Sequence, residues 1–151
     1  MRYQLPGADC ALFPAAASFP PTPMGDEYKT GMKRFTPTQA QIAATEQALL
    51  AINFDQISYR YELTDYYANY PQLIKSHLSN YKRQYYGFYN GQKHLCLFIN
   101  FFTEYTEEIH GQPMYWLYYP VHVFDGGYGF WSVYYDLTAK KLFLYEHNGE
   151  G

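Results

Sequence analysis

The chain has 151 residues, 48% of them hydrophobic, enough for one domain that buries roughly 70% of the surface its unfolded chain would expose. Eleven Lys and Arg against fourteen Asp and Glu give a net charge of −3, without the basic face that a general nucleic-acid binder shows. No run approaches the ~18 apolar residues of a membrane span, so neither a nucleic-acid partner nor a transmembrane segment is expected.

Residues 1–35 carry Pro6, Pro14, Pro20, Pro21 and Pro23 and little periodicity. They read as an irregular, proline-rich arm fixed against the domain or a neighbouring chain, with residues 36–151 forming the domain proper. "LPGADCA" lacks the charged and apolar segments of an export signal, and Asp9 precedes its cysteine, so no signal peptide is expected and the compartment stays open. Cys10 falls in this loose segment. Cys96 sits in an apolar strand pattern and reads as a small buried hydrophobe; one disulfide between them is conceivable, a framework is not.

"FTPTQAQIAATEQALLAINFD" predicts the one long helix. Thr36 is placed at the N-cap, Pro37 at the first helical position and Gln39 in a capping box. Ile42, Thr45, Leu49 and Ile52 form one side, widened by Ala43 and Leu50. A short strand at 57–63 and a short helix carrying Pro71, Leu73, Ile74 and Leu78 follow.

From Tyr81 the hydrophobic period is two. Strands at 83–89 and 92–102 flank Asn90-Gly91, the dipeptide of a two-residue hairpin turn that needs positive φ. Both faces of the second strand are largely apolar, which predicts a central position in the sheet. Residues 103–113 form a polar loop, 114–124 a third strand with Pro120 at an edge or bulge, 128–136 a fourth and 140–146 a fifth. Asp125-Gly126-Gly127 is expected to turn the chain between strands. A phosphate-cradling loop needs a helix after its glycines, and strand formers follow here. Gly129 is expected to add a bulge or to let a ring cross the backbone.

The expected fold is therefore α+β: a long N-terminal helix on a twisted antiparallel sheet of four or five strands. That plan resembles cystatin-like and nuclear-transport-factor-like folds. The tyrosine-rich "RQYYG" strand, the "NGQKH" hairpin, the "INFF" strand, the "DGG" turn and the terminal "NGEG" resemble small uncharacterised bacterial proteins over residues 81–151. The resemblance implies a fold and supplies no catalytic set. Cystatin inhibitors use a Q-x-V-x-G hairpin; Gln84-Tyr85-Tyr86-Gly87 is one residue short, which argues against protease inhibition.

Nineteen tyrosines are present, and all but Tyr3 and Tyr28 follow Ser58. One helix masks one face of a sheet, so rings on the other face are expected to be accessible. Tyr85, Tyr89, Trp116, Trp131, Tyr119 and His122 are the candidate ligand or partner surface, with Tyr115 and Tyr145 extending it. The expected function is a non-catalytic binding domain for an unidentified ligand or protein partner, or a homodimer. The alternative is a small enzyme with a His or carboxylate acting in an apolar pocket. His122 and Asp125, with Glu104, Glu107, Glu108 and His110 in the preceding loop, lack the spacing of a metal site, and neither metal nor cofactor is expected. Ser132, His122 and Asp125 lack the elbow of a nucleophilic triad.

Overall fold

Both faces of the strand at 95–102 are apolar in sequence, and both are buried in the structure, a computed structural model that describes residues 2–5, 8–18, 32–103, 114–123 and 125–149. The strands are β1 (Arg2–Leu5), β2 (Ala8–Leu12), β3 (Arg34–Phe35), β4 (Lys82–Tyr89), β5 (Leu95–Phe102), β6 (Phe130–Asp136) and β7 (Lys141–His147); the α-helices are α1 (Gln39–Leu50) and α2 (Tyr70–Ser76). The strands form one mixed sheet in the order β1-β2-β4-β5-β6-β7, with β3 also on β4. Strands β4 to β7 make an antiparallel meander. Strand β2 runs parallel to the first half of β4, and β3 pairs antiparallel with its second half. The N-terminal segment is thus sheet over 2–5 and 8–12 rather than irregular, which adds strands to the expected four or five. Residues 19–31 lie outside the described residues. Cys10, placed by sequence in a loose segment, is fully buried in β2.

Alternation along β5 and β6 sorts the interior into two layers. Leu97, Ile99, Phe101, Trp131, Val133 and Tyr135 pack with Ile42 and Leu49 of α1. Cys96, Phe98, Phe102, Phe130 and Tyr134 point the other way, against Phe13, Trp116 and Val121. Cys10 and Cys96 belong to opposite layers and are both free thiols, so no disulfide joins them.

Helix α1 starts two residues later than expected. Thr38 is the N-cap and forms a capping box with Gln41, so Pro37 precedes the cap. Thr38 Oγ1 accepts from Gln41 N at 3.1 Å, and Gln41 Oε1 accepts from Thr38 N at 2.9 Å. Three strands precede α1, and it spans 12 residues. Its buried side carries Ile42, Thr45, Glu46 and Leu49; Leu50, expected to widen the stripe, is 68% exposed. Helix α2 forms where Pro71 and the spaced apolar residues predict it, with proline in its first turn. The expected strand at 57–63 reduces to one parallel bridge, Tyr59 with Tyr145.

The hairpin between β4 and β5 closes by a longer route than a two-residue turn. Lys93 N donates to Asn90 O at 2.9 Å, and Asn90 N to His94 O at 3.0 Å. Positive φ falls on Lys93 (62°), and Gly91 does not have it. This is the three-residue loop with a left-handed last position, which leaves a bulge beside the turn.

Residues 114–123 are not a strand. Met114 is left-handed, Tyr115–Leu117 forms a 3-10 turn, and the rest is irregular. Side chains of the sheet supply the hydrogen bonds that a neighbouring strand would have supplied. Gln84 Nε2 donates to Trp116 O (2.8 Å) and Tyr119 O (2.7 Å), and Gln84 Oε1 accepts from Val121 N (3.0 Å). Asn100 Nδ2 donates to Val121 O at 2.8 Å. A buried and a half-buried amide satisfy these backbone groups of the loop, so it need not pair as β. The glycines that follow do turn the chain: Gly126 (φ 95°) and Gly127 (φ 59°) lead through a 3-10 turn straight into β6, with no α-helix after them. The ring stacks over Gly126, where a Cβ would collide with Phe130, and not over Gly129.

Candidate functional site

The outer edge of β7 is where the sheet opens. Across its inner edge, Tyr134 pairs with Phe143 and Ser132 with Glu146, so Val133 alone faces Leu144 and Tyr145. That is a β-bulge, and Leu144 sits in it at φ 56°. A bulky residue at positive φ is strained, and bulges re-aim the side chains beyond them. Here Leu142 and Tyr145 both join the layer facing α1. Along the outer edge, Tyr145 N donates to Ser58 O (2.8 Å) and Arg60 N to Tyr145 O (3.0 Å).

Beyond Arg60 a cleft of about 490 Å³ opens, lined by Tyr61, Glu62, Thr64, Tyr67, His122, Val123 and residues 145–149. Two contacts position its far wall. Asn148 Nδ2 donates to Asp125 O at 2.9 Å and also bonds Val123 O, while the Gln84–Asn100 amides hold Val121. His122 is thereby fixed between two tethered neighbours.

The lining is aromatic and acidic. The His147 ring lies 4.8 Å from both Tyr67 and Tyr70 and 5.7 Å from Tyr145, measured between centroids. Its Nδ1 is 2.8 Å from Asn148 O; a carbonyl only accepts, so Nδ1 is the donor in this contact. Tyr145 is buried, which raises its phenol well above the ordinary value, and its hydroxyl has no hydrogen-bond partner among the described residues. Burial raises the Glu146 carboxyl above its ordinary value, and the Arg60 guanidinium offsets part of that. Arg60 itself lies over the Tyr61 ring, 5.1 Å from its centroid.

Of the residues expected at a surface, His122 and Tyr145 line the cleft, Tyr145 from a buried position. Tyr85, Trp116 and Trp131 are 0%, 1% and 2% exposed and belong to the core. Trp131 stacks on Phe101 at 3.8 Å in the α1 layer, and Trp116 meets Phe102 edge-on in the other. The physical reason differs by layer: Tyr85 and Trp131 lie beneath α1, while Trp116 belongs to a second cover, in which the loop at 114–123 with Ala11 and Phe13 seals the face that α1 leaves open. Tyr89 is half-buried against Phe35. Tyr119 is exposed and stacks on Tyr115. Sequence reasoning missed Tyr61, Tyr67, Glu146 and His147. The available signal was the titratable pair Glu146-His147 closing an aromatic strand just before Asn148-Gly149.

A second polar cluster is structural. Arg83 donates to both Glu46 oxygens at 3.0 and 2.8 Å and to the carbonyls of Leu78 and Tyr81. The Tyr85 hydroxyl also donates to Glu46. The cluster joins α1 to β4 inside the core, away from solvent. Burial pushes the nearby Cys10 thiol up to about 12, and Cys96 likewise, so neither is a thiolate at neutral pH.

Glu104, Glu107, Glu108 and His110 lie outside the described residues. Among the described residues no three His, Cys, Asp or Glu side chains gather into a metal-binding group, and no helix is long and apolar enough to cross a membrane. Compared with protein-family models, with curated proteins and with solved structures, the chain matches none.

Proposed function

We propose that the chain is a non-catalytic binding domain whose ligand site is the cleft at the edge of β7, not the aromatic sheet face itself. One observation carries this reading: the cleft of about 490 Å³ is the size of small-molecule sites, and aromatic rings with a few convergent polar groups line it. The cystatin-like plan belongs to the same proposal. Helix α1 laid on the β4–β7 meander supports it, and the parallel pairing of β2 with β4 departs from the wholly antiparallel sheet expected. The test is a small-molecule screen read by amide chemical shifts. Hits should move residues 61–67, 122–123 and 145–149, and Tyr61→Ser should abolish the shifts while leaving the fold intact, because Tyr61 is 66% exposed. Hits that map elsewhere, or none at millimolar concentration, overturn the reading.

The enzyme alternative rests on Glu146, a half-buried carboxyl raised by burial within the cleft, as a general acid requires. Under it, Glu146→Gln would keep ligand affinity and abolish turnover of whichever ligand the screen finds; under the binding reading no hit is turned over.

A further inference from the structure

We infer that the cleft takes a small organic cation, an ammonium or guanidinium carried on a small molecule. This rests on the binding reading above and names its ligand class. Among the described residues, the charged ones lining the cleft are Glu62 and Glu146, both acidic, and no Lys or Arg lines it. The remaining polar lining is neutral or imidazole: Thr64, Tyr67, His122, Tyr145, His147 and Asn148. Tyrosine faces attract cations through their ring quadrupole, and the attraction grows when water is excluded. A carboxylate in the same half-buried space adds a direct counter-charge. An anionic ligand would meet two carboxylates and no basic side chain of the lining.

The molecule already makes a version of this contact. Arg60, at the rim, places its guanidinium over Tyr61 at 5.1 Å and interacts favourably with Glu146. It is exposed, its backbone N donates to Tyr145 O, and its guanidinium is held by a hydrogen bond and a ring contact to Tyr61, contacts at the surface that a competing cation can replace. Arg60 therefore acts as a resident competitor. A soluble cation entering the cleft displaces its guanidinium and takes over both the ring face and the Glu146 charge.

The test uses choline and its uncharged isostere 3,3-dimethylbutan-1-ol, titrated into the full chain and read by chemical shifts of residues 61–67 and 145–149. The pair differs essentially in charge, so shape recognition alone treats them alike. Choline should bind at least about tenfold tighter than the isostere. Glu146→Gln should weaken choline by about tenfold and leave the isostere unchanged. Arg60→Gln should strengthen choline, the opposite sign, which a merely destabilised cleft would not produce. Equal binding of the two probes overturns the cation assignment and leaves the cleft as a ligand site. Absence of binding by choline at millimolar concentration also overturns it, while the broader screen still decides whether the cleft binds anything.

Discussion

Lys93 holds the backbone conformation that the sequence suggests for Gly91. The hairpin dipeptide Asn90-Gly91 points to a two-residue turn, but Asn90 Oδ1 accepts from Gln92 N and His94 N, at 3.0 and 2.9 Å, and stretches the loop by one position. An Asn side chain that mimics a backbone turn is a local alternative to the tight hairpin. The left-handed residue then falls on Lys93, where a side chain costs roughly 1–2 kcal/mol. Lys93→Gly should therefore stabilise the protein, by about 0.5–1 kcal/mol after glycine's own entropy cost. Gly91 faces open space and lacks positive φ, so Gly91→Ala should be neutral or stabilising by up to about 1 kcal/mol. Urea denaturation of the two variants checks both signs. A loss of stability at Gly91→Ala would restore the tight-turn assignment.

The junction between α1 and β4 is ionic inside an apolar layer. Glu46 lies four residues after Ile42 and three before Leu49, within the apolar stripe rather than opposite it. A carboxylate there demands a partner, and Arg83 and Tyr85 provide it from one face of β4. Desolvation disfavours the Arg83 cation, but Glu46 outweighs it and the guanidinium stays charged. Removing one partner strands the other, so Glu46→Leu or Arg83→Met alone should each cost about 3–5 kcal/mol, while the double variant should cost much less than their sum. Additive losses in a double-mutant cycle would show that the pair is not coupled. A second held carboxylate lies at the other end of the meander. Asp136 is drawn toward protonation by burial, yet hydrogen bonds from Ala139 N, His94 and Thr138 N outweigh burial and bring it below 3.8. The His94 Nδ1 to Asp136 Oδ2 distance is 2.8 Å. A depressed carboxylate stabilises the fold above its ordinary value, and that contribution fades as pH falls through the folded value. Stability should therefore drop from about pH 5 to about pH 2 in the wild type and drop less in Asp136→Asn. Equal pH slopes would remove Asp136 from that account. The strands and helices of 70–102 and 130–147 are legible because alternation and proline placement are local signals. The loop that stands at 114–123 in place of the expected strand is not, because its course is decided by Gln84 and Asn100, amides far off in sequence whose reach no local pattern encodes.

At the scale of the molecule, the tyrosine count misleads about which rings are accessible. One helix covers one face of a sheet, and aromatic residues in excess of that suggest an open face. The structure covers the second face with chain that carries no regular sequence pattern: Ala11 and Phe13 at the end of β2 and the loop at 114–123. A sheet sealed on both faces exposes its chemistry at an edge, and here the edge is β7, where a bulge and the departing 58–61 segment leave the cleft. The two tryptophans measure this arrangement directly, since each reports one layer. Trp131 sits among Phe54, Tyr81, Phe101 and Tyr145 beneath α1. Trp116 sits on Phe102, with the Lys82 ammonium 5.3 Å from its ring. Trp131→Ala and Trp116→Ala should each destabilise by about 3–5 kcal/mol, as truncation of a buried large ring does. The Trp116 result is the sharper one, because it tests whether the irregular loop is as firmly part of the interior as the helix. If Trp116→Ala unfolds at the wild-type urea midpoint while Trp131→Ala does not, the loop is a removable cover. The face beneath it is then an accessible aromatic surface after all.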